Sequence, residues 1–235
     1  MRKYAHRAKK ENIMKKLLAL LLALLLVATT FVGCGKNNDD TTLDSETESD
    51  NVIIDDSNEE DNSTSFPKPE FTTDIVLTES NPDAETNDVA IADIHTAVKE
   101  LLGENYIPSM PLDNEFLKET YGVQPEWIES FVAEIPMISF HVDTFIAIKA
   151  AEGQADNVEK ALNDYDAYVK ENSLQYPANV PKINAARVYR QGNYVFYILL
   201  AAVPDEFMDD ENGAYNFAVQ SNENVIAKIN ELLIK

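Results

Sequence analysis

Between residues 88 and 235 the hydrophobic positions change period along the chain, from helical to strand-like and back. Ile91, Ile94, Val98 and Leu101 stand at helical spacing, with Asn87 placed as an N-cap. A second helix is expected after Asp113, because Leu112 and Leu117 stand at hydrophobic-staple spacing and Gly122 supplies a stop. Pro125 at a first helical position opens a third, carrying Trp127, Ile128, Phe131 and Val132 and ended by Pro136. Residues 137–150 are rich in β-branched and aromatic side chains and read as strand, divided into a pair by a bend near Val142-Asp143.

Glu152-Gly153 turns the chain into a helix at Asp156, with Val158, Leu162, Tyr165 and Val169 on one face. Residues 187–190 and 194–200 flank Gln191-Gly192-Asn193, a glycine-bearing hairpin signal. Residues 194–201 are apolar throughout, which implies a strand covered on both faces. A last helix is expected from about Ala214 to Leu233, with Ala218, Val225, Ile229 and Leu232 inward. The fold class is therefore α+β: N-terminal helices, then two antiparallel strand pairs each followed by a helix, in one antiparallel sheet packed by helices. Residues 88–235 are long enough for a single ordinary core.

The other end of the chain has a different pattern. Residues 17–27 are an unbroken run of Leu, Ala and Val, preceded by Met14-Lys15-Lys16. A cationic start, an apolar run and small residues before a cut site make a secretory signal peptide, and the run is short for a permanent membrane span. Residues 1–13 lie ahead of an already complete signal, which places the start of translation at Met14; the alternative is a long basic leader. Phe31-Val32-Gly33-Cys34 resembles the lipobox of bacterial lipoproteins, although Phe31 stands where that family more often has Leu. The resemblance implies that residues 1–33 are removed and that Cys34 carries a diacylglyceryl group as the mature N-terminus. The protein would then sit on the outer face of the cytoplasmic membrane. An uncleaved signal anchor, or an ordinary secretory signal followed by a free thiol, are the competing readings. Cys34 is the only cysteine, so it has no disulfide partner within the chain. Two acyl chains hold a protein stably where one does not.

Removal of residues 1–33 takes away seven of the 19 basic and one of the 41 acidic residues, leaving a net charge of −28. This excludes general nucleic-acid binding, which needs Lys/Arg patches, and disfavours adhesion to anionic lipid. Residues 35–87 hold 16 acidic and two basic residues among 53, a composition expected of a disordered acidic linker. A flexible chain of that length has a reach of about 40 Å. The linker is either a stalk or an unconstrained tether, and residues 71–77 are a candidate strand at the domain's edge.

Candidate chemistry is sparse. His141 and Asp143, two apart on strand-like sequence, form either a catalytic or ligand pair or an ordinary polar pair at a strand end. Two histidines and no thiol in the mature domain make a poor zinc inventory, so no metal or cofactor is expected. Asp209-Asp210-Glu211-Asn212-Gly213 offers oxygen ligands but lacks the spacing of a calcium loop, and reads as a solvated loop. No G-x-S-x-G elbow or phosphate-cradling glycine loop occurs. Carboxylate pairs such as Asp164 with Asp166 follow from composition. Residues 171–184 read as a connector stiffened by Pro177 and Pro181. Tyr176, with the nearby cations Lys182, Arg187 and Arg190, makes this segment a candidate binding site for a carboxylated ligand or a partner surface.

Residues 136–150, the helix around Ala161-Leu162-Asn163, and residues 176–200 together resemble a family of uncharacterised clostridial-type lipoproteins classed as a domain of unknown function. The resemblance implies location and architecture and transfers no catalytic residue. The leading expectation is a membrane-tethered lipoprotein whose C-terminal domain binds a small ligand or an envelope protein. The alternatives are a small envelope hydrolase or isomerase using His141 and Asp143, or a purely structural envelope component. The domain is small for a two-lobed solute receptor.

Overall fold

Gly192, at φ 57°, closes a tight hairpin where the sequence signals one, and the sheet extends outward from it. The computed structural model describes residues 70–172, 175–207 and 209–234, which belong to the unit Thr64–Lys235. The expected signal peptide, the expected lipid site Cys34 and residues 35–69 of the expected linker lie outside the described residues. Strands β1 (Met110–Pro111), β2 (Ile128–Ile135), β3 (Thr144–Ala150), β4 (Arg187–Gln191) and β5 (Tyr194–Leu199) form an antiparallel sheet in the order β1-β2-β3-β5-β4. Five helices accompany them: α1 (Ile91–Leu102), α2 (Asn114–Tyr121), α3 (Ala155–Asn172), α4 (Val180–Asn184) and α5 (Glu211–Leu233). The fold is α+β, with helices on both faces of the sheet.

Alternation along the strands divides the core in two. Ile146, Ile148, Val195, Tyr197 and Leu199 pack with Leu117 and Tyr121 of α2, Val158 and Leu162 of α3 and Ile183 of α4. Phe145, Ala147, Tyr194, Phe196 and Ile198 pack with Ile91, Ile94 and Val98 of α1 and Val225, Ile226, Ile229 and Leu233 of α5. Every residue of β5 is buried, as its unbroken apolar run implies for a central strand covered on both sides.

The third expected helix is a strand. Only a 3-10 turn, Pro125–Trp127, is helical, and β2 follows it directly. Ile128, Phe131 and Ile135 imitate helical spacing because the register shifts between Ile128 and Ser130, a bulge that adds one residue. Beyond it the period is two: Phe131, Ala133 and Ile135 join one core while Val132 joins the other. The first strand pair is therefore β2 with β3, and residues 136–143 are the connection between them.

Capping follows the sequence at α2 and departs from it at α1. The Asp113 carboxylate accepts from the Phe116 amide at 2.9 Å, and Gly122 ends α2 in the left-handed conformation. Asn87 does not cap α1. Its side-chain amide donates to the Leu232 carbonyl and its backbone amide to the Leu233 carbonyl, so it closes the C-terminus of α5.

Residues 70–87, counted above with the linker, run along the domain. Phe71 stacks on Tyr215 at 4.9 Å, and the Asn81 amide donates to the Arg190 carbonyl at 2.9 Å. Thr86 forms a bridge to Ile234. This strap covers the outer edge of β4, where unpaired backbone groups would otherwise face solvent. A Cβ on Gly192 would come within 2.8 Å of the Ala84 carbonyl oxygen, so the close approach of strap to hairpin also requires glycine there.

Candidate functional site

The sheet ends in polar groups that need partners, and side chains supply them. Thr144 pairs with Leu199, which sets Asp143, just before β3, beside residues 200–201, just after β5. One Asp143 carboxylate oxygen accepts from the Ala201 amide at 3.0 Å, and the other from the Lys182 ammonium at 2.5 Å. The Leu200 amide donates to Asn222 of α5, and the Leu200 carbonyl accepts from the Ser221 hydroxyl. Asn222 also donates to the Ala185 carbonyl after α4. Asp143 is 0% exposed, and such a buried carboxylate persists only with these partners.

Beside this latch lies a cleft of about 340 Å³. The connection 136–143 contributes Phe140 and His141, and the α4 segment contributes Pro177, Asn179, Pro181 and Lys182. The opposite wall is Val203, Pro204, Asp205 and Phe207, closed by Glu211 and Ala214 of α5. The Asn179 side chain donates to the Phe140 carbonyl at 2.8 Å, tying two of these segments together. The lining is mainly apolar, with an imidazole and an ammonium from one wall and two carboxylates from the other. That composition suits an amphipathic ligand that is held by shape and oriented by a few polar contacts. At the cleft's edge Phe140 packs on Tyr176 at 5.2 Å, and Met137 and Ile138 are exposed nearby in sequence.

The candidate residues from the sequence are only partly brought together. His141 lines the cleft and also a second cavity of about 250 Å³ lined by α2, α3, Ile183 of α4 and the sheet. Among the described residues no hydrogen bond or ion pair joins His141 to Asp143, whose oxygens are taken by Lys182 and Ala201. Both residues precede β3 instead of standing on it. From Pro177 on the stiffened connector is helical: Pro177 starts a 3-10 turn and Pro181 stands in the first turn of α4, where a missing amide costs nothing. The expected basic cluster is dispersed. Lys182 is buried on Asp143, Arg187 is clamped by Glu223 and the Thr78 carbonyl, and Arg190 pairs with Asp156 and Glu159 across the other face of the sheet. Tyr176 is 59% exposed and remains available at the cleft's edge.

Sequence reasoning read Glu211 only as part of a solvated acidic loop, and missed Asp205 and Phe207 in the wall opposite Lys182. Their only sequence cue is the break after Pro204, which frees residues 205–207 to form a short 3-10 turn before α5. In the acidic stretch ahead of α5, Asp210 accepts from the Gly213 amide and acts as its N-cap. It missed a second polar cluster as well. His95 Nε2 lies 3.1 Å from the Tyr106 hydroxyl and 3.2 Å from Glu134, and its ring stacks on Phe145. Burial and the neighbouring Glu134 charge push the Tyr106 hydroxyl well above its ordinary pKa. This cluster ties α1 to β2 and opens into none of the cavities described here. Among the described residues no group of three His, Cys, Asp or Glu side chains is placed to hold a metal ion.

Residues 103–200 match the family model described as a domain of unknown function, DUF4358. The matched span holds all five strands with α2, α3 and α4, and includes the latch residues Asp143 and Lys182. Helices α1 and α5, which complete the second core, lie outside it. No curated protein and no solved structure matches the chain. Among the described residues no helix is long and apolar enough to cross a membrane.

Proposed function

We propose that this protein is a lipid-anchored lipoprotein of the outer face of the cytoplasmic membrane whose α+β domain captures an amphipathic ligand or envelope partner in the cleft between α4 and α5. The supporting observation is the cleft itself: an apolar hollow of about 340 Å³ with Lys182 and His141 on one wall and Asp205 and Glu211 on the other. Binding is favoured over hydrolysis or isomerisation because the Asp143 carboxylate is engaged by Lys182 and Ala201 and does not orient the His141 imidazole. Anchoring rests on the lipobox-like Phe31-Val32-Gly33-Cys34 and the apolar run before it.

The test is a ligand screen by thermal shift on residues 35–235, which keep the strap, with amino acids, sugars, muropeptides and short peptides. A ligand at about 100 times its Kd stabilises the native state by about 2.7 kcal/mol. The binding reading expects a hit that survives His141→Ala and is weakened by Phe140→Ser. Turnover of an envelope substrate that His141→Ala abolishes would favour the enzyme instead.

A further inference from the structure

Helix α3 carries two stripes. Val158, Leu162, Tyr165 and Val169 face the core. A second stripe, Asn157, Lys160, Ala161, Asp164 and Tyr168, recurs at helical spacing and lines an open groove of about 450 Å³ against α2 and the turn before β2. Tyr121 and Tyr165, 4.3 Å apart between ring centroids, also line it, as do Trp127 and Tyr168. Gly122 and Ala161 keep its lining low; a Cβ on Gly122 would lie 3.8 Å from that of Ala161.

We propose that this groove binds a neutral oligosaccharide. The exposed Tyr168 and the partly buried Trp127 offer flat surfaces for the C–H faces of sugar rings, which are apolar on the face and polar at the rim, above a floor made by Tyr121 and Tyr165. Around them stand Glu119, an acceptor, and the exposed Lys160–Asp164 ion pair, whose remaining donor and acceptor capacity supplies the mixed set that hydroxyl groups require; the Asn157 amide beside them already donates to Gln154. Anionic sugars are disfavoured by those carboxylates and by the chain's net charge of −22. The site is separate from the cleft of α4 and α5 and shares no lining residue with it.

Trp127 is the only tryptophan in the chain and lines this groove, so tryptophan emission reports on the groove and on the core beneath it. The full chain is titrated with the tetrasaccharides of N-acetylglucosamine and of glucose, and with an oligoproline peptide. The expected result is a saturable change in emission with at least one tetrasaccharide below about 10 mM. Tyr168→Ala and Asp164→Ala should each weaken it about tenfold. Both side chains are exposed, and Tyr168 is 63% exposed, so the melting curves of the two variants should match the parent and separate lost binding from lost folding. No response to either sugar from the folded protein, a response to oligoproline alone, or sugar binding unchanged in both variants would overturn the assignment.

Discussion

Asp143 and Lys182 show how one side chain can serve both fold and site. The carboxylate satisfies the Ala201 amide just after β5 and holds the ammonium at the cleft wall. Asp143→Ala leaves Lys182 charged and unpaired in a buried place, and should cost about 3–5 kcal/mol in denaturant unfolding. Adding Lys182→Met to that variant should recover part of the loss, because it removes the stranded charge. Asp166 works in the opposite sense. Burial raises its carboxyl above the ordinary value of 3.8, and the nearby Lys170 ammonium opposes that shift only in part. The native state therefore holds the proton to higher pH than the unfolded state, and Asp166's contribution to stability declines as pH rises from 3.8 through the raised pKa. Asp166→Asn should flatten that part of the stability–pH curve relative to the parent, as measured by urea unfolding across the acid range. At Gly192 the constraint is backbone: Gly192→Ala combines a positive φ with a contact on the Ala84 carbonyl, and should cost about 1–3 kcal/mol.

Elements were legible where one physical signal dominated. The β4–β5 hairpin follows from Gly192 between two apolar runs, and the inward face of α3 from Val158, Leu162, Tyr165 and Val169. Strand β2 was not legible, because a bulge of one residue makes period two imitate period 3.6 over Ile128, Phe131 and Ile135. The strap was hidden by composition: residues 70–87 look like more acidic linker until their partners on β4 and α5 are known. Thr78 accepts from Arg187 and donates to Glu223, a closed set of bonds between segments over a hundred residues apart. The cleft was half legible. Tyr176 and Lys182 lie in the segment that attracted attention, but Asp143 is 39 residues from Lys182 in sequence and the opposite wall comes from residues 203–214. Deleting residues 70–87 should remove on the order of 3 kcal/mol through several lost hydrogen bonds. It should also make the domain aggregate through the uncovered β4 edge, which light scattering would detect. A fragment starting at residue 88 would then be a poor substitute for the whole domain.

At the scale of the molecule, the proposed function needs an anchor, an acidic linker and a binding domain. The anchor makes its own prediction: Cys34→Ala should move the protein from the membrane fraction to the soluble fraction and abolish incorporation of labelled palmitate. If the thiol carries no lipid, the substitution leaves both unchanged. The central claim is capture of a ligand in the cleft, and its most direct measurement is the thermal-shift screen on residues 35–235, run in parallel on Phe140→Ser and Tyr168→Ala. The expected result is a ligand that raises the melting temperature by about 5–10 °C at saturation. It also predicts that the shift is lost in Phe140→Ser and kept in Tyr168→Ala. A panel without a hit beside a cooperative melt, or a shift untouched by Phe140→Ser, would contradict it.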